Sequence, residues 1–154
     1  MSQEERCVAL TIRDLHSRYI LTIRLMKRTT ADAVKAVSGE LFYHYGLFKI
    51  IRSDNCTPFA FSNSLLGLAT LSAWWMSIGI ISNHTVPGCP TQNGAHERIR
   101  ADINREIPWE IPGSREAKQT VIDLWEEEYN NTRPHATLQM SSSLRFLQKV
   151  HLAI

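Results

Sequence analysis

Apolar and polar residues alternate from Cys7 to Ile12, with Val8, Leu10 and Ile12 on one side, which is the two-residue period of a half-buried strand. After Asp14-Leu15-His16-Ser17 comes a second such run, Tyr19-Ile20-Leu21-Thr22-Ile23, so the two segments predict a hairpin. Thr30 offers an N-cap for a helix over 30–45, with Ala33, Val34, Val37, Leu41 and Tyr45 at helical spacing. Gly46 suits the left-handed position at its C-terminal end. A short strand is predicted over 48–53, and Ser62 caps a second helix running through LLGLATLSAWWMSIG to Gly79. Its apolar content is too broad for a single stripe, so most of its circumference is expected to be covered. Ile80 and Ile81 begin another strand that ends near His84-Thr85-Val86. The loop PGCPTQNG then precedes a helix, AHERIRADINREI, in which Ile99 and Ile103 share a face. A last helix over 114–130 is expected to carry Ala117, Val121, Leu124 and Trp125 inward.

This order of elements, without a repeat or a low-complexity tract, is that of an α/β or α+β fold with one layered core. Its 154 residues are the length of one domain, and a hydrophobic fraction of 44% is ordinary for a globular chain. No apolar run reaches the roughly 18 residues that a membrane span needs, and the opening MSQEERC is polar rather than a leader, so the expectation is a cytoplasmic protein with no membrane association. Cys7, Cys56 and Cys89 are odd in number and lack CxxC spacing, which argues against a disulfide framework. A zinc site from Cys56, Cys89, His84 and His96 matches no ligand signature. A formal net charge of +2 permits nucleic-acid binding without arguing for it.

Two carboxylates stand out by context. In IIRSDNCTPF, Asp54 follows a short strand directly and precedes turn-forming residues, which places it at the rim of a sheet. Glu97 lies in the first turns of the helix that follows the Gly- and Pro-rich loop. Brought together by the fold, they offer the oxygen ligands that Mg²⁺ takes alongside waters and substrate phosphates. Two such ions, about 3.5–4 Å apart, clamp the attacking and leaving oxygens of a phosphodiester displacement. Taken singly, Asp54 also reads as a turn residue beside Asn55, and Glu97 as a favourable charge near a helix N-terminus.

Five stretches taken together, LTIRDLHSRYILTIRLM, HYGLFKIIRSDNCTPFA, LSAWWMSIGI, PGCPTQNGAHERI and EYNNTRPHATL, resemble the integrase catalytic core of bacterial insertion-sequence transposases, from about Leu10 to Leu138. The resemblance implies a ribonuclease-H-like fold, a mixed sheet flanked by helices, in which two Asp and one Glu bind Mg²⁺ or Mn²⁺ and drive DNA strand cleavage and transfer. It implies that Asp54, in RSDN, is the second Asp and that Glu97, in QNGAHER, is the Glu. The partners it implies are DNA, as transposon ends and target, and further copies of the chain in a homo-oligomer.

In the family the first acid sits on the strand before the one that leads into the DxxSRY turn, and these residues hold no counterpart of that earlier strand. Asp14, in DLHSRY, matches the turn residue instead, with Asx-type hydrogen bonding to Ser17 expected. The expectation is therefore a core over 1–138 that lacks its first, central strand, followed by a divergent tail over 139–154. Without that strand the neighbouring edges stay unpaired or pair directly. Cys56 stands where the family commonly has Gly.

Asn93, His96 and Arg98 flank Glu97 as candidate DNA-phosphate contacts, against the plainer reading of solvated helix residues. Gly94 reads as a close approach to the site rim or as an ordinary loop glycine. Arg133, Pro134 and His135 resemble a segment that fixes the chain's exit from its last helix, Trp74 and Trp75 read as core or interface, and Lys27, Arg28 and Lys35 as a modest basic surface. Two functions follow: a transposase or integrase catalytic core, or an inactive remnant that keeps weak DNA binding or self-association.

Overall fold

The computed structural model describes residues 7–53, 70–84, 90–107, 114–135, 138 and 140–151. Two compact units divide the chain, Met1–Lys27 with Asn104–Ile154, and Arg28–Ile103.

In the first unit, β1 (Val8–Arg13) and β2 (Ile20–Met26) form the expected antiparallel hairpin, with a register irregularity between Ile12 and Arg13. Asp14 holds the turn: its Oδ2 accepts from the Ser17 amide and from Ser17 Oγ, both at 2.6 Å, while its own N–H donates to Tyr19 O at 2.8 Å. Arg18 takes up the bend at φ 64°. Burial alone would raise the Asp14 carboxyl, but the Ser17 hydroxyl and the Ser17 and His16 amides outweigh it and hold the group below the usual range.

Helix α4 (Arg115–Thr132) is capped by Ser114, whose hydroxyl accepts from the Ala117 N–H. Its inward face differs from the expected one. Ala117 is exposed, Leu124 is 63% exposed, and Val121 and Trp125 are only half-buried, whereas Ile122, Tyr129 and Asn130 are buried. The face is turned because polar side chains are needed inside, where the outer edge of β2 presents unpaired peptide groups. Asn130 Oδ1 accepts from Ile20 N and its Nδ2 donates to Ile20 O, each at 2.9 Å. Glu126 Oε2 accepts from Ile23 N at 2.9 Å. Gln119 Oε1 accepts from Leu25 N, and its Nε2 donates to Ile23 O, each at 2.7 Å. Beyond α4 the chain tightens around a bridge between His135 and Ser141 and enters helix α5 (Ser143–His151), which packs back on α4.

In the second unit, α1 (Ala31–Tyr45) has the expected cap, Thr30 Oγ1 accepting from Ala33 N, and buries Val34, Val37, Ser38 and Leu41. Tyr45 is 54% exposed. Gly46 has φ 79° but ψ 175°, an extended left-handed geometry rather than the expected helical one, and one that is almost exclusive to glycine. Strands β3 (Ile50–Ser53) and β4 (Ile81–His84) pair in parallel, Ile50 opposite Ile81 and Ser53 opposite His84. Helix α2 is described over Thr70–Ser77, and the rest of the predicted helix lies outside the described residues. It buries Leu71, Ser72 and Trp75 only, with Met76 51% exposed, so the expectation of cover around its circumference fails over this stretch. Trp74 packs on Phe42 of α1 at 6.1 Å between ring centroids, and Lys35 Nζ lies 5.8 Å over its ring.

Helix α3 (Pro90–Glu106) begins earlier than the sequence pattern indicated, so PTQNG is helical rather than loop. Pro is tolerated in a first turn because the N–H it lacks has no helical partner there. Among the described residues, β1 pairs only with β2 and β3 only with β4, giving two two-stranded sheets. No helix among them is long and apolar enough to cross a membrane.

Candidate functional site

The parallel pair β3–β4 alternates strictly. Ile50, Arg52, Ile81 and Asn83 are exposed on one face, while Ile51, Ser53, Ser82 and His84 are half-buried on the other. A two-residue period sorts side chains to opposite faces in this way, and the parallel register brings like faces together. The half-buried face packs against α2. At its end, His84 Nδ1 lies 3.2 Å from Ser53 Oγ, and Nε2 lies 3.3 Å from Ser72 Oγ on α2 and 3.5 Å from Ser82 Oγ. Ser53 closes β3, and in the sequence Asp54 comes next. Asp54 itself lies outside the described residues.

Glu97 stands on α3, on the side turned away from Ile99 and Ile103, which are 2% and 3% exposed. Both Glu97 and its neighbour Arg98 are exposed. No hydrogen bond or ion pair to a described residue engages the Glu97 carboxylate, so its lone pairs are open to a cation. This donor chemistry fits Mg²⁺ or Mn²⁺, which prefer carboxylate oxygen. The side chains of Asn93 and His96 lie outside the described residues. Among the described residues, no group of three His, Cys, Asp or Glu side chains gathers as a metal site. Gly94 sits in α3, not in a loop, and a Cβ there would meet nothing within 4 Å.

Asp14 belongs to a different structure, the hairpin turn, where its carboxylate accepts from the Ser17 amide and hydroxyl. Arg133 forms a bidentate pair with Glu106, Nη1 to Oε2 at 3.0 Å and Nη2 to Oε1 at 3.1 Å, and stands 5.2 Å over the Tyr129 ring. Trp125 Nε1 donates to the same carboxylate at 2.9 Å. The Arg133 segment therefore fixes the chain's exit from α4 to the end of α3, as expected from the sequence.

Sequence reasoning missed His84 and Ser53 as partners, having weighed His84 only as a zinc ligand. The signal was available in ISNH, where Ser82 and His84 share a face two residues apart.

Comparison with known proteins places these elements in a family context. Residues 78–142, from the end of α2 through α3 and α4, match the family described as Integrase core domain. The fold is similar to that of a chain from the intasome of simian T-cell lymphotropic virus, solved in complex with PP2A regulatory subunit B56 gamma. The TM-score is 0.64 at 14% identity, over 91% of this chain and 52% of that one. At that identity the likeness is one of fold, an integrase-type, ribonuclease-H-like arrangement of strands and helices. The chain spans about half the length of the intasome chain it matches.

Proposed function

We propose that this chain, whose residues 78–142 match the integrase core domain family, serves DNA strand cleavage and transfer, as the catalytic core of a transposase or integrase. The observation that carries the reading is the exposed, uncommitted Glu97 on α3, within the matched residues, together with a strand that ends at Ser53 directly before Asp54. Asp54 and Glu97 are the residues that would hold Mg²⁺ or Mn²⁺. When bound, the ion supplies positive charge against the attacking and leaving oxygens of a phosphodiester.

The chain's own residues do the rest. Arg98, one position beyond Glu97 and exposed, supplies a cation for a DNA phosphate, and Asn93 and His96 supply neighbouring donors from the first turns of the same helix. Such contacts bind the backbone without reading sequence. The partners are DNA and, within the active assembly, other copies of this chain. The place of action is the cytoplasm, and the core extends to Leu138, with 139–154 as a divergent tail.

A second reading is favoured by one specific observation. Asp14 is committed to the hairpin turn, so the candidate acids of this chain supply two of the three carboxylates that strand transfer by this family uses. A chain with two acids keeps metal and DNA affinity and lacks catalysis. Incubation of the purified chain with labelled duplex ends and Mn²⁺ separates the two readings. Joined product that disappears in Asp54→Asn supports the catalytic core, and Mn²⁺-dependent retention of DNA without product supports the remnant. Neither product nor Mn²⁺-dependent retention would contradict both.

A further inference from the structure

Strand β4 is attached to α2 at both of its ends. At the first, Gly79 turns the chain at φ 87° and Ile80 N donates to Trp75 O at 2.9 Å. At the second, the attachment is the His84 ring, with Ser72 Oγ of α2 on Nε2 at 3.3 Å and Ser53 Oγ of β3 on Nδ1 at 3.2 Å. Strand β3 has no such tie of its own to α2 among the hydrogen bonds described. It is held through β4, by the parallel pairing and by this ring.

A neutral imidazole has one donor and one acceptor nitrogen, and a hydroxyl serves as either, so the Ser53–His84–Ser72 chain is satisfied in both tautomers. The ring cannot rotate without losing a bond at each side. Ser72 is fully buried, so water does not stand in for the ring at that end. We propose that His84 is a positioning residue: by tying Ser53 to α2 it fixes the end of β3 at the point from which Asp54 follows, and so sets the affinity of that carboxylate for a divalent cation. This rests on the reading of Asp54 and Glu97 as metal ligands. A residue that hydrogen-bonds a metal ligand directly changes metal affinity by about 10- to 100-fold when removed; His84 acts one residue away, through Ser53, so the lower end of that range applies.

The plainer role, packing the sheet on α2, predicts something different. A packing residue lowers stability and leaves the cation affinity of the folded chain alone. The test is Mn²⁺ binding to the full chain, read from the electron paramagnetic signal of free Mn²⁺, for the wild type, Asp54→Asn, His84→Ala, His84→Gln and Ser72→Ala. Amide exchange at Ile51 and Arg52 is followed in parallel, with Ile122 in the other unit as the reference. His84→Ala is expected to weaken Mn²⁺ binding by about tenfold or more, Ser72→Ala to weaken it less, and His84→Gln to recover part of the loss. Exchange at Ile51 and Arg52 should quicken while Ile122 stays protected. Wild-type affinity in His84→Ala, with binding abolished in Asp54→Asn, overturns the positioning role and leaves the metal site standing. Unchanged binding in Asp54→Asn removes the metal site, and the positioning role falls with it. Should His84→Ala fail to fold, Ser72→Ala decides: wild-type affinity there overturns the proposal.

Discussion

Asn130 closes both backbone groups of Ile20, accepting from its N–H and donating to its C=O at 2.9 Å each, across 110 positions of sequence. The pair substitutes one side chain for a neighbouring strand. It is 5% exposed on the Asn130 side and fully buried on the Ile20 side, so water cannot take over either bond.

The first prediction follows from that burial. A buried donor or acceptor left without a partner costs about 1–3 kcal/mol. Asn130→Leu leaves two such groups on Ile20 and is expected to destabilise the chain by roughly 3 kcal/mol. Asn130→Asp keeps the acceptor but turns a buried carboxylate oxygen toward Ile20 O, so at neutral pH it should cost at least as much. Denaturant unfolding followed by far-UV circular dichroism measures both. A loss below about 0.5 kcal/mol for the Leu variant would show that the edge of β2 has another partner.

Glu126 gives the same seam a pH dependence. Burial first, and then the nearby Asp123 charge, push its carboxyl up to about 7 from an ordinary 4.5, against the lowering effects of the Ile23 N–H and Arg24. The folded chain therefore holds this proton more tightly than the unfolded chain does. Stability from this group is full below about 4.5, declines as pH rises, and is lost once pH passes about 7. Glu126→Gln keeps an acceptor for Ile23 N and removes the ionisation. Its stability relative to wild type should rise between pH 5 and pH 8, read as the difference in unfolding midpoint, whereas a constant difference would contradict the assignment.

Glu106 has the opposite sign. Hydrogen bonds from Arg105 first, then Trp125 and Arg133, hold its carboxyl down to about 2. Its contribution is present above the ordinary carboxylate range and is lost as pH falls toward about 2. The site is open to solvent on one side, with Glu106 and Arg133 side chains 34% and 29% exposed, so screening reduces its worth to roughly 1 kcal/mol or less. Glu106→Gln should cost that little at low salt and less at high salt, with a shift in Trp125 fluorescence as the local readout.

Gly46 isolates a backbone effect. A Cβ there would meet nothing within 4 Å, yet φ 79° with ψ 175° is a region that other residues avoid. Gly46→Ala should destabilise by about 1–3 kcal/mol through backbone strain alone. No measurable change in the denaturation midpoint would mean the loop adopts an ordinary conformation at no cost.

Local patterns carried the hairpin, the Thr30 cap and the four strands, because alternation and capping chemistry act between near neighbours in sequence. The Asp14–Ser17 turn was legible for the same reason, a carboxylate three residues before a hydroxyl and its amide. The inward face of α4 was not. Apolar spacing pointed to Val121 and Leu124, but the partner of α4 is a strand edge, and Gln119, Glu126 and Asn130 face it. A hydrophobic stripe cannot report a face whose task is to saturate peptide groups. The start of α3 was hidden because Pro90 and Gly94 carry loop character in sequence while a first turn tolerates the one and an exposed helix surface the other. His84 was only half legible: Ser82 lies two residues away on its own strand, but Ser53 and Ser72 come from two other elements.

The proposed function stands on Asp54 and Glu97 sharing a divalent cation. Calorimetric titration of Mn²⁺ into the wild type, Asp54→Asn, Glu97→Gln and the double variant tests it most directly. Shared ligation predicts saturable binding in the wild type, a large loss in either single variant, and no further loss in the double variant, because one ion cannot be removed twice. Losses that add independently, or affinity that survives both substitutions, would contradict it.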